Sequence, residues 1–247
     1  MEQPSSHNAA QAAIDAALKP VARSRCAAMA AAARILAAEG HSWGLAGQIT
    51  ARAGAGEYWT LPLGLGFDEA RPEVMLRIDE DLQTLEGAGI ANPAVRFHLW
   101  VYRARPDVAC IVHTHPPAAA ALSMTGRPLV AAHMDTMMFH DDCAWLPNWP
   151  GVPLADEEGR LISEALGDKR AILLAHHGLM TVGTSVEEAT YLAYFMERAA
   201  RMQLDAGALG PIVTADPEAC RQAHDFLLRP AVVAATFDYL ARRHAKG

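Results

Sequence analysis

Two short apolar runs end in histidines, and no other feature of the chain restricts its fold as tightly. Val108–His113, rich in Val and Ile without helical punctuation, continues into Thr114-His115; Ala171–Ala175 continues into His176-His177-Gly178. Both read as buried strands. Residues i and i+2 of a strand point to one face, so His113 and His115 can reach one point. Two strand ends delivering three or four imidazoles build an open site for a divalent ion such as Zn²⁺. Gly178 would allow a tight backbone there. A lone histidine is better read as a satisfied core or surface residue. His-x-His plus His-His-Gly after two buried strands favours the metal.

Around these strands, helical and extended patterns alternate. Residues 9–39 are Ala-rich with Leu, Ile and Met at helical spacing, which predicts one or two helices stopped by Gly40. Gln48–Arg52 and Glu57–Leu61 suggest a hairpin, and Met75–Ile78 and Gln83–Leu85 two more strands. Pro93 starts a helix that Arg105-Pro106 closes, Pro116–Leu122 opens another, and Pro128–Ala132 reads as a short strand. Residues 140–153 look too proline-rich for a regular element. Asp156 is placed to cap a helix Glu157–Leu166, Gly178–Val182 continues extended, and Ser185 caps a long helix Glu187–Leu204. The last forty residues are helical. With no internal repeat and no linker, one α/β domain over residues 1–247 is expected.

Composition excludes several function classes. Of 247 residues, 51% are hydrophobic and 20% charged, enough for a sizeable core and too apolar for global disorder. The net charge of −7, with no stripe of Lys and Arg, argues against nucleic acid as a partner. No apolar run approaches the ~20 residues of a membrane helix. Met1 to Asn8 lack the basic-then-apolar pattern of a secretion signal. Cys26, Cys110, Cys143 and Cys220 are scattered as reduced thiols would be. A soluble cytoplasmic protein with a small-molecule substrate is expected.

Gly47-Gln48-Ile49-Thr50-Ala51-Arg52, then Arg103–Val108 leading into Val112–Pro116, then His176–Gly183 resemble the class II aldolase/adducin family in order and spacing, over about residues 20–205. The resemblance implies a three-layer α/β/α domain with a central, largely antiparallel sheet. For catalytic members it implies a homo-oligomer, a tetramer, with the metal site near a subunit contact. It also implies that His113, His115 and His177 are the ligands of a divalent metal ion, Zn²⁺ first, with Mn²⁺ or Fe²⁺ as alternatives. His176 stands where many relatives carry Asn; it is taken as a neighbour of the ion, not a ligand, and as a candidate for proton transfer.

The pattern breaks at one turn. Sugar-phosphate aldolases of this family carry Ser-Ser-Glu four residues before a helical histidine, and that Glu is both ligand and base. Here the segment is Asn92-Pro93-Ala94-Val95-Arg96-Phe97-His98, so Ala94 takes the Glu position and can neither bind a metal nor move a proton. Asn92 and Pro93 replace serines that hold phosphate, and Gln48 replaces an Asn. Gln48, Asn92 and Arg96 are therefore candidates to contact a substrate other than a sugar phosphate.

Other groups have plainer readings beside them. His133, Asp135, His140, Asp141 and Asp142 form a polar cluster that supplies either proton donors, His133 and Asp135 first, or loop caps. His98 reads as a structural hydrogen-bonding residue, Trp100 and Tyr102 as packing, and Glu187-Glu188 as favourable charges at a helix start. The expected function is a metal-dependent carbon–carbon lyase, by retro-aldol cleavage or decarboxylation of a small oxygenated carbonyl or carboxylic acid compound. The alternatives are a non-catalytic, metal-binding adducin-like interaction protein and an iron-dependent oxygenase, although the usual iron triad contains a carboxylate.

Overall fold

Glycine turns and short β-branched runs build one sheet. The computed structural model describes residues 6–149, 151 and 156–245. The expectations for the first five residues, and for Pro150 and Pro153, lie outside the described residues. The strands are β1 (Gln48–Gly54), β2 (Glu57–Thr60), β3 (Leu76–Ile78), β4 (Thr84–Glu86), β5 (Cys110–Thr114), β6 (Cys143–Leu146), β7 (Ala171–Leu174) and β8 (Leu179–Gly183). They lie in the order β4-β3-β2-β1-β5-β8-β7-β6. Every pairing is antiparallel except β6 with β7. β5 therefore sits at the centre between β1 and β8, which explains why all five of its residues are buried.

Helices cover both faces. They are α1 (Ser6–Ala17), α2 (Arg25–Ala38), α3 (Arg96–Ala104), α4 (Pro117–Ser123), α5 (Asp156–Leu166), α6 (Val186–Leu209), α7 (Pro217–Leu227) and α8 (Pro230–Arg243). One core packs α2, α4, α6 and α8 against Ile49, Val112, Leu173 and Leu179. The other packs α3 and α5 against Ile111, Ile172, Met180 and Val182. Successive strand residues feed opposite cores, as a pleated sheet demands. This is the expected three-layer α/β/α domain with a largely antiparallel sheet. The predicted Ser185 cap is in place, its hydroxyl accepting the Glu188 N–H at 3.1 Å, whereas Asp156, expected to cap the helix after it, lies within the first turn of α5. No helix among the described residues is long and apolar enough to cross a membrane.

Two other local expectations are corrected. Pro128–Ala132 is not a strand; the Gln203 side chain of α6 occupies its backbone, accepting the Val130 N–H at 2.7 Å and donating to the Pro128 carbonyl at 2.9 Å. The proline-rich stretch 140–153 does contain a regular element, since Cys143–Leu146 forms β6. β6 is an edge strand, paired on one side only, and Pro147 follows its end, where proline is tolerated. Gly178–Val182 is extended as expected: Leu179–Gly183 forms β8, which returns antiparallel to β7 with Ala171 opposite Thr181.

Candidate metal centre

The central ladder sets the site. His113 is the fourth residue of β5, opposite Gln48 of β1 and Met180 of β8. His177 lies in the tight turn joining β7 to β8, so the adjacency of β8 and β5 carries it to His113. His115 follows the last ladder residue, Thr114. The three ring centroids form a nearly equilateral triangle, 4.7 Å (113–115), 4.8 Å (113–177) and 4.6 Å (115–177) apart. One nitrogen from each lies within 4.8 Å of the others.

Hydrogen bonding orients the donors. His113 Nδ1 donates to the Leu179 carbonyl at 2.9 Å, which leaves the Nε2 lone pair free. His115 Nε2 lies 2.9 Å from that atom. Two such nitrogens meet either through a proton or beside a cation, and a divalent ion bound at ~2.0–2.1 Å to imidazole suits this gap. Burial, then the neighbouring His177, His115 and His98, hold His113 well below the usual histidine range. Burial also lowers His115, and burial with His115 nearby lowers His177 to about 4. All three rings are neutral near pH 7, the form a metal requires. The donor set fits a divalent ion.

The surroundings are built to hold that geometry. A Cβ on Gly178 would stand 2.5 Å from the Thr114 carbonyl oxygen and 2.6 Å from His115 Cδ2, so only glycine lets the two strand ends close. The Glu197 carboxylate of α6 accepts the Ala118 and Ala119 N–H groups, each at 2.8 Å, and fixes α4 just after His115-Pro116. On one sheet face, His41 Nδ1 meets the Thr114 hydroxyl at 2.9 Å. On the other, His98 Nδ1 meets the Thr50 hydroxyl at 2.9 Å, and that hydroxyl also bonds Tyr102 at 3.0 Å. Burial lowers both His41 and His98 to about 3. His98 is thus a hydrogen-bonded core histidine. Neither His41 nor Glu197 was legible in the sequence; only its place between two ligand histidines marks Thr114, and nothing marks its partner.

The remaining candidates divide. Gln48 and Asn92 line one small cavity next to His113. Arg96 instead turns toward Asp156 of α5, 4.0 Å away, and is not grouped with them. His176 is exposed, at the left-handed position of the β7–β8 turn with φ 55°. His133 and Asp135 are exposed at the start of a 3-10 helix, Met134–Phe139, where His133 Nδ1 accepts the Asp135 N–H at 3.2 Å. They cap that turn and are not brought to the triad. Asp142 pairs with Arg170 and His224. Ala94 presents only a methyl group to the core, and its N–H is taken by Asn92 Oδ1 at 3.0 Å. Among the described residues, the group that could hold an ion contains the three histidines and no carboxylate.

A central antiparallel sheet carrying three histidines at two strand ends defines a class of metal-site α/β/α domains, and comparison with known proteins gives it a family. Residues 27–204 match the Class II Aldolase and Adducin N-terminal domain, and the chain belongs to the class II aldolase and adducin family. It is 34% identical over 180 residues to the Meiotically up-regulated gene 14 protein of Schizosaccharomyces pombe, covering 71% of this chain and 70% of that one. It is 35% identical over 171 residues to Decarboxylase NovR of Streptomyces niveus, covering 68% of this chain and 63% of the relative, somewhat under two thirds of its length. The solved L-fuculose 1-phosphate aldolase from Glaciozyma antarctica PI12 superposes with a TM-score of 0.80 at 25% identity, covering 100% of this chain and 94% of that one. Lyases of two kinds, an aldolase and a decarboxylase, thus stand among its relatives.

Proposed function

We propose that the protein is a divalent-metal-dependent carbon–carbon lyase acting on a small oxygenated carboxylic acid, by decarboxylation and not by cleavage of a sugar phosphate. The observation that carries this reading is the neutral imidazole triad standing without a carboxylate. A divalent ion held by His113, His115 and His177, with Zn²⁺ first, would supply a Lewis acid for a substrate oxygen as the carbon–carbon bond breaks. The chain's own part is to keep three lone pairs converged, by burial, by the Leu179 carbonyl and by the Gly178 contact.

Ala94 supports the choice of reaction. Retro-aldol cleavage needs a group to take a hydroxyl proton, and this turn offers only a methyl. Decarboxylation takes no proton from the substrate: the carbon–carbon electron pair stays with the substrate as CO₂ leaves. The product carbon then needs a proton, and water or His176, exposed in the turn beside His177, can deliver it. His133 and Asp135, used as a cap, receive no role. The likeness to Decarboxylase NovR points the same way. The assembly is taken as a homotetramer, on family membership; light scattering that reports a monomer at micromolar concentration would reject it.

The test is a paired assay of the metal-loaded protein on β-keto and hydroxy-aromatic acids and on sugar phosphates, with the Ala94→Glu variant beside it. The natural protein is expected to release CO₂ from an acid. Its sugar-phosphate turnover is expected to fall about 10²–10⁴-fold below that of relatives bearing the Glu, as for a missing general base. Sugar-phosphate turnover equal to theirs would sink the reading.

A further inference from the structure

Beside the end of β5 that carries His113 lies a small cavity of about 20 Å³, lined in part by Gly47 and Gln48. Its placement follows from the ladder. Gln48, on its wall, is opposite His113, so both side chains leave the same face of the sheet. Gly47, also on the wall, is so close to β5 that a Cβ there would stand 3.0 Å from the His113 carbonyl oxygen.

The chemistry of its walls is one-sided. Leu45, Leu61, Leu63 and Phe67 supply apolar surface, with Leu45 and Leu63 55% and 45% exposed at the rim. Among the described residues, no Lys, Arg or His lines it. The polar groups are neutral and partly used. Thr60 donates to the Ile49 carbonyl at 3.2 Å, and Asn92 Oδ1 accepts from Ala94 N–H. The Leu63 and Leu65 amides are taken by the Ile90 and Pro62 carbonyls, at 2.8 and 3.3 Å. Gln48 Oε1 is buried and has no partner. A phosphate here would bury its charge with no cation to balance it, which is costly. The space admits about one water-sized group, and apolar walls favour a methyl or short alkyl end.

We infer that this slot is the specificity pocket for a short, uncharged, apolar end of the substrate, with Leu45 and Leu63 setting the preference and the Gln48 amide available to a neutral hydroxyl. The inference rests on the reading of the triad as a metal site, because the substrate's other end would be held there.

Hydroxamates test it, since they share a metal-chelating head and differ only in the tail. The zinc-loaded full chain is titrated calorimetrically with acetohydroxamate, propionohydroxamate and phosphonoacetohydroxamate. The last two share one methylene and end in a methyl or a phosphonate. Propionohydroxamate is expected to bind tightest, about tenfold or more above the phosphonate, the scale of one group in an apolar pocket. Leu45→Lys and Leu63→Lys, at half-exposed positions, are expected to keep their zinc and melting temperature and to reverse that order. Phosphonate binding as tight as the alkyl tail in the natural protein overturns the slot, as does an unchanged order in both Lys variants. Zinc retained with no hydroxamate bound also overturns it. Failure to retain zinc sinks the metal reading instead, and the slot's assignment with it.

Discussion

His176 has φ 55°, and its backbone explains the residue type better than its imidazole does. Non-glycine residues are uncommon in the left-handed region, and Asn, Asp and His are the ones enriched there. The His-His-Gly motif therefore divides its labour: His176 turns the chain, His177 aims a ring, and Gly178 lets the strand ends close. His176→Asn is expected to stay within about 0.5 kcal/mol of the natural protein in urea unfolding, whereas His176→Val costs ~1–3 kcal/mol. Equal stability of the two variants would contradict this account of the turn. Gly178→Ala must displace the His115 ring or the Thr114 backbone. It is expected to cost ~1–3 kcal/mol, as overpacking does, and to weaken metal retention measured in the same preparation. Unaltered retention would show that His115 is not held by this contact.

At the scale of elements, what was legible depended on whether local pattern or distant partner decided the outcome. β5, β7 and the cap of α6 are local: apolar runs, and Ser185 before helical periodicity, suffice. The three histidines were legible because strand spacing alone aligns His113 with His115. Pro128–Ala132 was misread because its partner is a glutamine side chain 73 to 75 residues away. β6 was hidden because four strand residues sit inside a stretch dominated by prolines. The turn at His176 was missed because no Gly, Asn or Pro marks the position itself. His41 and Glu197 act through contacts no sequence spacing encodes.

The docking of α7 is likewise a long-range matter. His224 on that helix reaches Asp142, next to β6, at 3.2 Å, and Arg170 of the β7 entry binds the same carboxylate. The Asp142 bond raises His224; burial raises Asp142, but bonds from His224 and Arg170 outweigh it and the net shift is downward. The signs follow directly. His224 stabilises fully below its unfolded value near 6.5, and that contribution is lost as pH rises through the elevated folded value. Asp142 stabilises above its unfolded value near 3.8, and that contribution is lost as pH falls through the depressed one. The cluster therefore contributes most between about pH 4 and 6.5. In thermal melts, His224→Gln is expected to lose most in that window and to match the natural protein more nearly at pH 9. A deficit independent of pH would contradict the pairing.

For the whole molecule, the sheet order is the functional fact. Two histidine-bearing segments lie some sixty residues apart in sequence and meet because β8 folds back between β7 and β5. Helical layers on both faces then bury the ladder and keep the imidazoles neutral. A bound ion should stabilise the folded chain by mass action, so zinc added to chelator-treated protein is expected to raise its melting temperature with increasing free zinc. A melting temperature indifferent to zinc would count against a site organised by folding.

The central claim is that His113, His115 and His177 together hold one divalent ion. Elemental analysis by plasma mass spectrometry, on protein purified without chelator and without a nickel column, tests it most directly. The account predicts about one ion per chain in the natural protein. It predicts loss of that ion in His113→Ala, His115→Ala and His177→Ala, with the far-ultraviolet circular dichroism of each unchanged. Metal content that stays the same in all three variants would contradict it.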